Sequence, residues 1–144
     1  MTAQLSGRIV ADSARCTNCK TCEMVCSLVH EGRVSPALAR LRIEQDPFVD
    51  VTPLIIVCEQ CADPACLLAC PADAIGLDAL TGVPFVDEQQ CIACGACVDA
   101  CESGMIALLP DERAAAFKCD LCGGDPQCVR SCPQGALIYG DRSE

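Results

Sequence analysis

Cysteine is the residue type in this chain with the numbers and the spacing to do chemistry. Its sixteen cysteines form four groups of four. Cys16, Cys19, Cys22 and Cys26 are spaced C-x2-C-x2-C-x3-C, and Cys91, Cys94, Cys97 and Cys101 repeat that spacing. Cys58, Cys61, Cys66 and Cys70 read C-x2-C-x4-C-x3-C before Pro71, and Cys119, Cys122, Cys128 and Cys132 read C-x2-C-x5-C-x3-C before Pro133. The run C-x2-C-x2-C-x3-C-P is the ligand spacing of cubane iron–sulfur clusters. Three thiolates at i, i+3 and i+6 wrap a loop around one corner of a cube, and the backbone N–H groups between them can point at sulfur. At four thiolates per cluster the chain has ligands for four [4Fe–4S] clusters, each a one-electron carrier.

Zinc is the rival metal. A structural zinc site favours two C-x2-C pairs separated by roughly 12–20 residues. Groups two and four begin with C-x2-C, but their third and fourth cysteines follow too closely, and no Cys-His pairing is present. A zinc scaffold, or zinc mixed with clusters, is the alternative. The longer gaps at residues 62–65 and 123–127 are where departures from the minimal spacing fall.

Other chemistry is missing. The chain contains no dinucleotide fingerprint, phosphate loop or nucleophile elbow, so no catalytic residue is expected. Its 144 residues suffice for one unit, 1–144, with no Trp, one Tyr and three Phe. Aromatic side chains usually dominate buried area, so an ordinary core would be thin here. Clusters are expected to fill the interior and to supply much of the folding free energy, leaving the apo chain largely unfolded. The net charge of −10 argues against nucleic acid, which needs basic patches. It suits a partner with a basic docking face, or serves solubility alone. Residues 1–15 show no apolar leader pattern or twin arginine, and no run of eighteen apolar residues could span a membrane. A cytoplasmic location is expected, where clustered cysteines bind metal more often than they pair.

The elements that position these cysteines repeat along the chain. Each unit reads as a strand-like approach, a cysteine loop, a short helix ending at the fourth cysteine, and a departing strand. The exits Pro71-Ala72-Asp73-Ala74-Ile75, Glu102-Ser103-Gly104-Met105-Ile106 and Pro133-Gln134-Gly135-Ala136-Leu137 align, as do the approaches at residues 8–12 and 84–87. Hairpins are expected between 74–78 and 83–87, between 105–109 and 114–118, and between 40–44 and 54–57, the last turning across Asp46-Pro47 and Thr52-Pro53. Residues 27–57 are the one long stretch without cysteine and read as an insertion over the core. The fold class expected is α+β: short helices and two-stranded hairpins around four [4Fe–4S] clusters.

This pattern resembles the four-cluster ferredoxin-type subunits of molybdenum and tungsten pterin enzymes, formate dehydrogenases, hydrogenases and carbon monoxide dehydrogenase. The residues that carry the likeness are Cys22-Glu23-Met24-Val25-Cys26-Ser27-Leu28-Val29-His30, Cys58-Glu59-Gln60-Cys61, Cys91-Ile92-Ala93-Cys94-Gly95-Ala96-Cys97 and Lys118-Cys119-Asp120-Leu121-Cys122. Size and the start of the chain look most like the iron–sulfur subunit of tungsten-dependent aldehyde oxidoreductase complexes. The resemblance implies a duplicated bacterial-ferredoxin-like fold and nested ligand sets, because in two-cluster ferredoxins the fourth cysteine serves the other cluster. One cluster would take Cys16, Cys19, Cys22 and Cys132, and its neighbour Cys119, Cys122, Cys128 and Cys26. A third would take Cys58, Cys61, Cys66 and Cys101, and the fourth Cys91, Cys94, Cys97 and Cys70. The outer pair would come from 8–26 and 114–140 and the inner pair from 54–109. Ser27 and Glu102 stand where proline often follows a fourth cysteine, so those exits are expected to differ in shape.

The function expected is electron transfer as a subunit linking a catalytic oxidoreductase, a tungsten or molybdenum pterin enzyme, to another carrier such as a flavin protein or ferredoxin. A free-standing polyferredoxin shuttling between enzymes is the alternative. Self-association into a longer wire is geometrically open. Arg15 and Lys20 against Glu23, and Lys118 and Arg130 against Asp120 and Asp125, leave groups one and four at +1 together, whereas Glu59, Asp63 and Asp99 leave groups two and three at −3. Basic neighbours raise a reduction potential, so the outer clusters are expected to reduce more easily. His30, the single histidine, is expected at the surface or in packing rather than bonded to a cluster sulfur. Arg40 and Arg42 read as a solvated strand face, Met24 and Met105 as packing, and Asp87 and Glu88 as having no paired-carboxylate role.

Overall fold

The computed structural model describes residues 7–46, 48–61, 63–79, 82–110, 112 and 114–141. Its strands are β1 (Gly7–Ala11), β2 (Arg42–Asp46), β3 (Asp50–Ile56), β4 (Ile75–Leu77), β5 (Pro84–Val86), β6 (Ala107–Leu108), β7 (Ala116–Phe117) and β8 (Leu137–Asp141). Its α-helices are α1 (Thr21–Glu31), α2 (Ala65–Ala69), α3 (Ala96–Ala100) and α4 (Gln127–Ser131). The strands form two-stranded antiparallel ribbons, β1–β8, β2–β3, β4–β5 and β6–β7. The three expected hairpins are therefore present. The fourth ribbon joins the two ends of the described chain, with Gly7 opposite Asp141 and Ala11 opposite Leu137.

Two hairpin details differ from expectation. Thr52-Pro53 lies within β3 rather than in the turn, beside a register shift between Glu44 and Asp46. Proline donates no ladder bond and is confined to edges and bulges; in a ribbon both strands are edges. The β6–β7 ribbon is also shorter than expected, and Asp111 and Arg113 near its turn lie outside the described residues, as do Leu80 and Thr81 in the β4–β5 loop.

The helices follow the cysteines. α2, α3 and α4 each have five residues, and Cys70, Cys101 and Cys132 cap them at φ near −75° and ψ of 113°, 112° and 113°. Glu102 thus gives the same exit as the two prolines, contrary to expectation. The conformation is imposed by the cysteine's own position and not by the fixed φ of proline one residue later. The other exit does differ. α1 runs five residues past Cys26 and ends at Gly32, whose φ of 73° is the left-handed C-cap that favours glycine. Ser27 holds this departure in place. It is fully buried, its hydroxyl donates to the Met24 carbonyl at 3.0 Å and accepts from the Ser35 N–H at 2.9 Å. Ser27→Ala leaves that half-buried amide without its partner. A loss of about 1–3 kcal/mol in chemical denaturation of the holoprotein is expected.

α1 packs on α4, and α2 on α3. The core divides the same way. One apolar cluster unites Cys22, Cys26 and Cys128 with Ile9, Leu41, Ile55, Leu121 and Leu137, and a second unites Cys66 and Cys97 with Ile75 and Ile106. Phe117 is the buried phenylalanine, whereas Phe48 is 96% exposed. Cysteines occupy the places aromatic side chains usually fill.

Candidate iron–sulfur sites

A shared backbone device shapes every cysteine loop. The residue two after the first cysteine is left-handed in all four groups: Asn18 at φ 62°, Gln60 at 50°, Ala93 at 58° and Leu121 at 57°. Residues other than glycine adopt this conformation uncommonly, so its fourfold recurrence marks a common task. Lys20, Gly95 and Gly123, each four after a first cysteine, are left-handed too. The turn aims amides at sulfur: the N–H groups of Asn18, Ala93 and Leu121 donate to Cys16, Cys91 and Cys119 Sγ, each at 3.4 Å. A second device serves the fourth cysteines. Asp73, Gly104 and Gly135, three residues past Cys70, Cys101 and Cys132, are left-handed. The next amides, of Ala74, Met105 and Ala136, donate to those sulfurs at 3.2, 3.4 and 3.4 Å.

Cys26 obtains the same bond differently. Its sulfur accepts from the Arg40 N–H at 3.1 Å, fourteen residues on instead of four. Residues 27–39 are therefore interposed in an exit that otherwise repeats. Arg40 is consequently not on a solvated strand face. It is buried, bridges to Glu31 at 2.9 Å and lies 4.7 Å over the Phe117 ring. Arg42 does sit on the exposed face, beside Glu44. Met105 is buried and Met24 is partly exposed. The Asp87 carboxylate bonds the local Gln89 amide and Gln90 side chain.

The cysteines converge in four cavities. Cys16, Cys19, Cys22 and Cys132 line one, and Cys26, Cys119, Cys122 and Cys128 a second. Cys58, Cys61, Cys66 and Cys101 line a third, and Cys70, Cys91, Cys94 and Cys97 a fourth. Each cavity takes three cysteines from one group and one from another. The donor set suits a body larger than one ion. Tetrahedral zinc with bonds of about 2.3 Å would gather its sulfurs within roughly 4 Å of one another. Among the described residues, the one group of three His, Cys, Asp or Glu ligand atoms within 4.8 Å is His30, Asp120 and Cys122. No three sulfurs come that close, whereas a cubane holds its thiolates at separate corners.

The third cysteine of every group is buried, and Cys19, Cys61 and Cys94 are exposed. Burial pushes the Cys22 thiol up to about 11 and raises Cys66, Cys97 and Cys128 as well. Such thiols ionise when a metal takes the proton's place, so loading releases protons. At Cys70 burial acts upward but is outweighed by the amides of Ala74, Ala72 and Ile75, which lower it.

His30 departs from its surface reading. Its Nδ1 is 3.0 Å from the Cys26 carbonyl and 3.9 Å from Cys26 Sγ, and its Nε2 is 3.0 Å from Asp120 Oδ1. With acceptors at both nitrogens the ring carries both protons. Sequence placed Lys118 only as a basic flank of group four and gave Gln60 no role of its own, yet both are buried and line the cavity of Cys58, Cys61, Cys66 and Cys101. Neither position is distinctive in the sequence, since each merely precedes a cysteine.

Comparison with known proteins points to the same cofactor. A 4Fe–4S dicluster domain family matches residues 47–142, and a 4Fe–4S binding domain family matches residues 13–29. The chain belongs to the 4Fe–4S dicluster domain family. It is thus an iron–sulfur electron-transfer protein that carries multiple [4Fe–4S] clusters. The polyferredoxin-like subunit of an aliphatic sulfonate oxidoreductase from Pyrococcus furiosus is 43% identical over 119 residues, covering 82% of this chain and 66% of that protein. Electron transport protein HydN of Escherichia coli is 32% identical over 158 residues, covering 94% of this dicluster-family chain and 89% of HydN. A chain in the active site complex BamBC of benzoyl coenzyme A reductase, solved with 1,5-dienoyl-CoA, superposes with a TM-score of 0.53 at 27% identity. The superposition covers 95% of this chain and 76% of that one. No helix of the described residues is long and apolar enough to cross a membrane.

Proposed function

We propose that the chain conducts single electrons as a subunit of an oxidoreductase complex, through four [4Fe–4S] clusters in a duplicated ferredoxin-like fold. The observation that carries this reading is that four cavities are each lined by four cysteines, in sets matching the nested pairing. Cys16, Cys19, Cys22 and Cys132 hold one cluster, and Cys26, Cys119, Cys122 and Cys128 its neighbour. Cys58, Cys61, Cys66 and Cys101 hold a third, and Cys70, Cys91, Cys94 and Cys97 the fourth. Residues 8–26 and 114–140 supply the outer pair and 54–109 the inner pair.

When bound, each cluster supplies reversible one-electron chemistry. The chain's own residues set where and how. Amides from Asn18, Ala93, Leu121, Ala74, Met105, Ala136 and Arg40 donate to ligand sulfurs and offset negative charge there. Cys19 and Cys94 bring one sulfur of each end set to the surface, where a partner can approach. Phe48, Val49 and Val51 stand exposed on the β2–β3 ribbon, which Asn18 Nδ2 ties to the first cysteine loop through Gln45 Oε1 at 2.8 Å. An apolar face next to an exposed ligand suits a lasting subunit contact. The partner proposed is a cytoplasmic tungsten or molybdenum pterin enzyme, with a flavin protein or ferredoxin at the opposite end.

Anaerobic purification of the intact particle, with iron, sulfide, tungsten, molybdenum and zinc quantified, tests the reading. About sixteen irons per chain are expected, with a companion chain carrying tungsten or molybdenum. The same iron with no companion would favour a free polyferredoxin, and zinc in place of iron would overturn the reading.

A further inference from the structure

One backbone carbonyl among the contacts between the two halves gathers two buried donors. The Cys119 oxygen accepts from Lys118 Nζ at 2.9 Å and from Gln60 Nε2 at 3.3 Å. Cys119 lines the cavity it shares with Cys26, Cys122 and Cys128. Lys118 and Gln60 both line the next cavity, with Cys58, Cys61, Cys66 and Cys101. Lys118 is 5% exposed and Gln60 1% exposed, so water screens neither. Among the described residues, the other acceptor of the ammonium is the Pro84 carbonyl at 3.4 Å. An ammonium is a compact, strongly hydrated charge, and burying it against two neutral carbonyls is costly. Two flanking sets of thiolates offset that cost by attraction.

Given the ligand sets proposed above, we propose that Lys118 is the electrostatic bridge between the outer and inner halves, holding the reduction potentials of both junction clusters up. Its charge reaches sulfur on both sides. Lys118 lines the cavity of Cys58, Cys61, Cys66 and Cys101, and its Nζ bonds the backbone of Cys119, which lines the other. Reduction adds one negative charge to a site, so a buried cation alongside stabilises the reduced form. Position in the fold thereby alters the expectation that basic flanks favour the outer pair alone. Lys118 stands next to group four in sequence but lines the cavity of group two. Gln60 orients the junction: its αL backbone and its amide hold the Cys58 loop against the Cys119 carbonyl, leaving Oε1 buried with no hydrogen-bond partner among the described residues.

Redox titration followed by electron paramagnetic resonance, on holoprotein of measured iron and sulfide content, tests the assignment. Lys118→Met should lower one or both junction potentials by roughly tenfold in the reduction equilibrium, about 59 mV for one electron. Lys118→Arg, which keeps the charge, should stay close to the parent. Gln60→Glu keeps the size and adds an opposing charge, so it should lower the same potentials. Unchanged potentials at full iron loading in Lys118→Met overturn the proposal. Should that variant load less iron, unchanged potentials in fully loaded Gln60→Glu overturn it instead. Parent protein holding fewer than four clusters would count against the ligand sets and not against Lys118.

Discussion

Cys132→Ser is expected to empty a site whose other ligands lie at the opposite end of the sequence. Cys132 is separated from Cys16, Cys19 and Cys22 by more than a hundred residues, yet lines their cavity. It is brought there by the β1–β8 ribbon and by α4 packing on α1. The variant should lose about four of sixteen irons, or convert one cubane to a three-iron form with a distinct paramagnetic signal. Cys119, Cys122 and Cys128 should keep their cluster, because the fourth cysteine that lines their cavity is Cys26. If groups were instead self-contained, the lesion would fall on the cluster of Cys119, Cys122 and Cys128. Spectroscopy of Cys132→Ser beside Cys26→Ser separates the two cases. In the nested arrangement the affected clusters are exchanged relative to the mutated group. In the self-contained one they are not.

Removing the iron should unfold the molecule as a whole. The described core is built around its ligands: Cys22, Cys26, Cys58, Cys66, Cys97 and Cys128 are among its buried apolar residues. Aromatic burial is small, with Phe117 inside and Phe48 and Phe85 exposed. α2, α3 and α4 have five residues each, far below the length at which a helix holds in water without tertiary packing. The ribbons are two-stranded, and such ribbons are marginal alone. Without clusters the cavities would be lined by buried thiols with nothing to bind, and the left-handed turns would lose the sulfur charge their amides serve. Anaerobic chelation is expected to abolish slow-exchanging amides and to expand the chain, with refolding only when iron and sulfide return. Slow amide exchange persisting across α1 and α4 in the apo chain would show that the protein core suffices.

Much of the candidate site was legible locally. The number of cysteines and the close spacing within each group pointed to cubanes, because three ligands on one loop are set by a few consecutive backbone angles. The hairpins at β2–β3, β4–β5 and β6–β7 were legible for the same reason, and so were the repeated exits after Cys70 and Cys132. Where local reasoning failed, a distant partner had changed the meaning of a residue. Arg40 looked like half of an alternating strand, but an α1 extended past Cys26 carries Glu31 to its guanidinium. His30 looked incidental until Asp120, ninety residues away, reached its ring.

The sequence by itself determined what kind of centre this protein builds, since sulfur donors at those intervals suit iron–sulfur chemistry whatever surrounds them. The tertiary structure decided which fourth cysteine lines a cavity with which three, in the sets the resemblance implied, which amide replaces the missing one at Cys26, and where Lys118 is buried. Those depend on through-space distance between segments far apart in the chain, which spacing along the backbone does not encode.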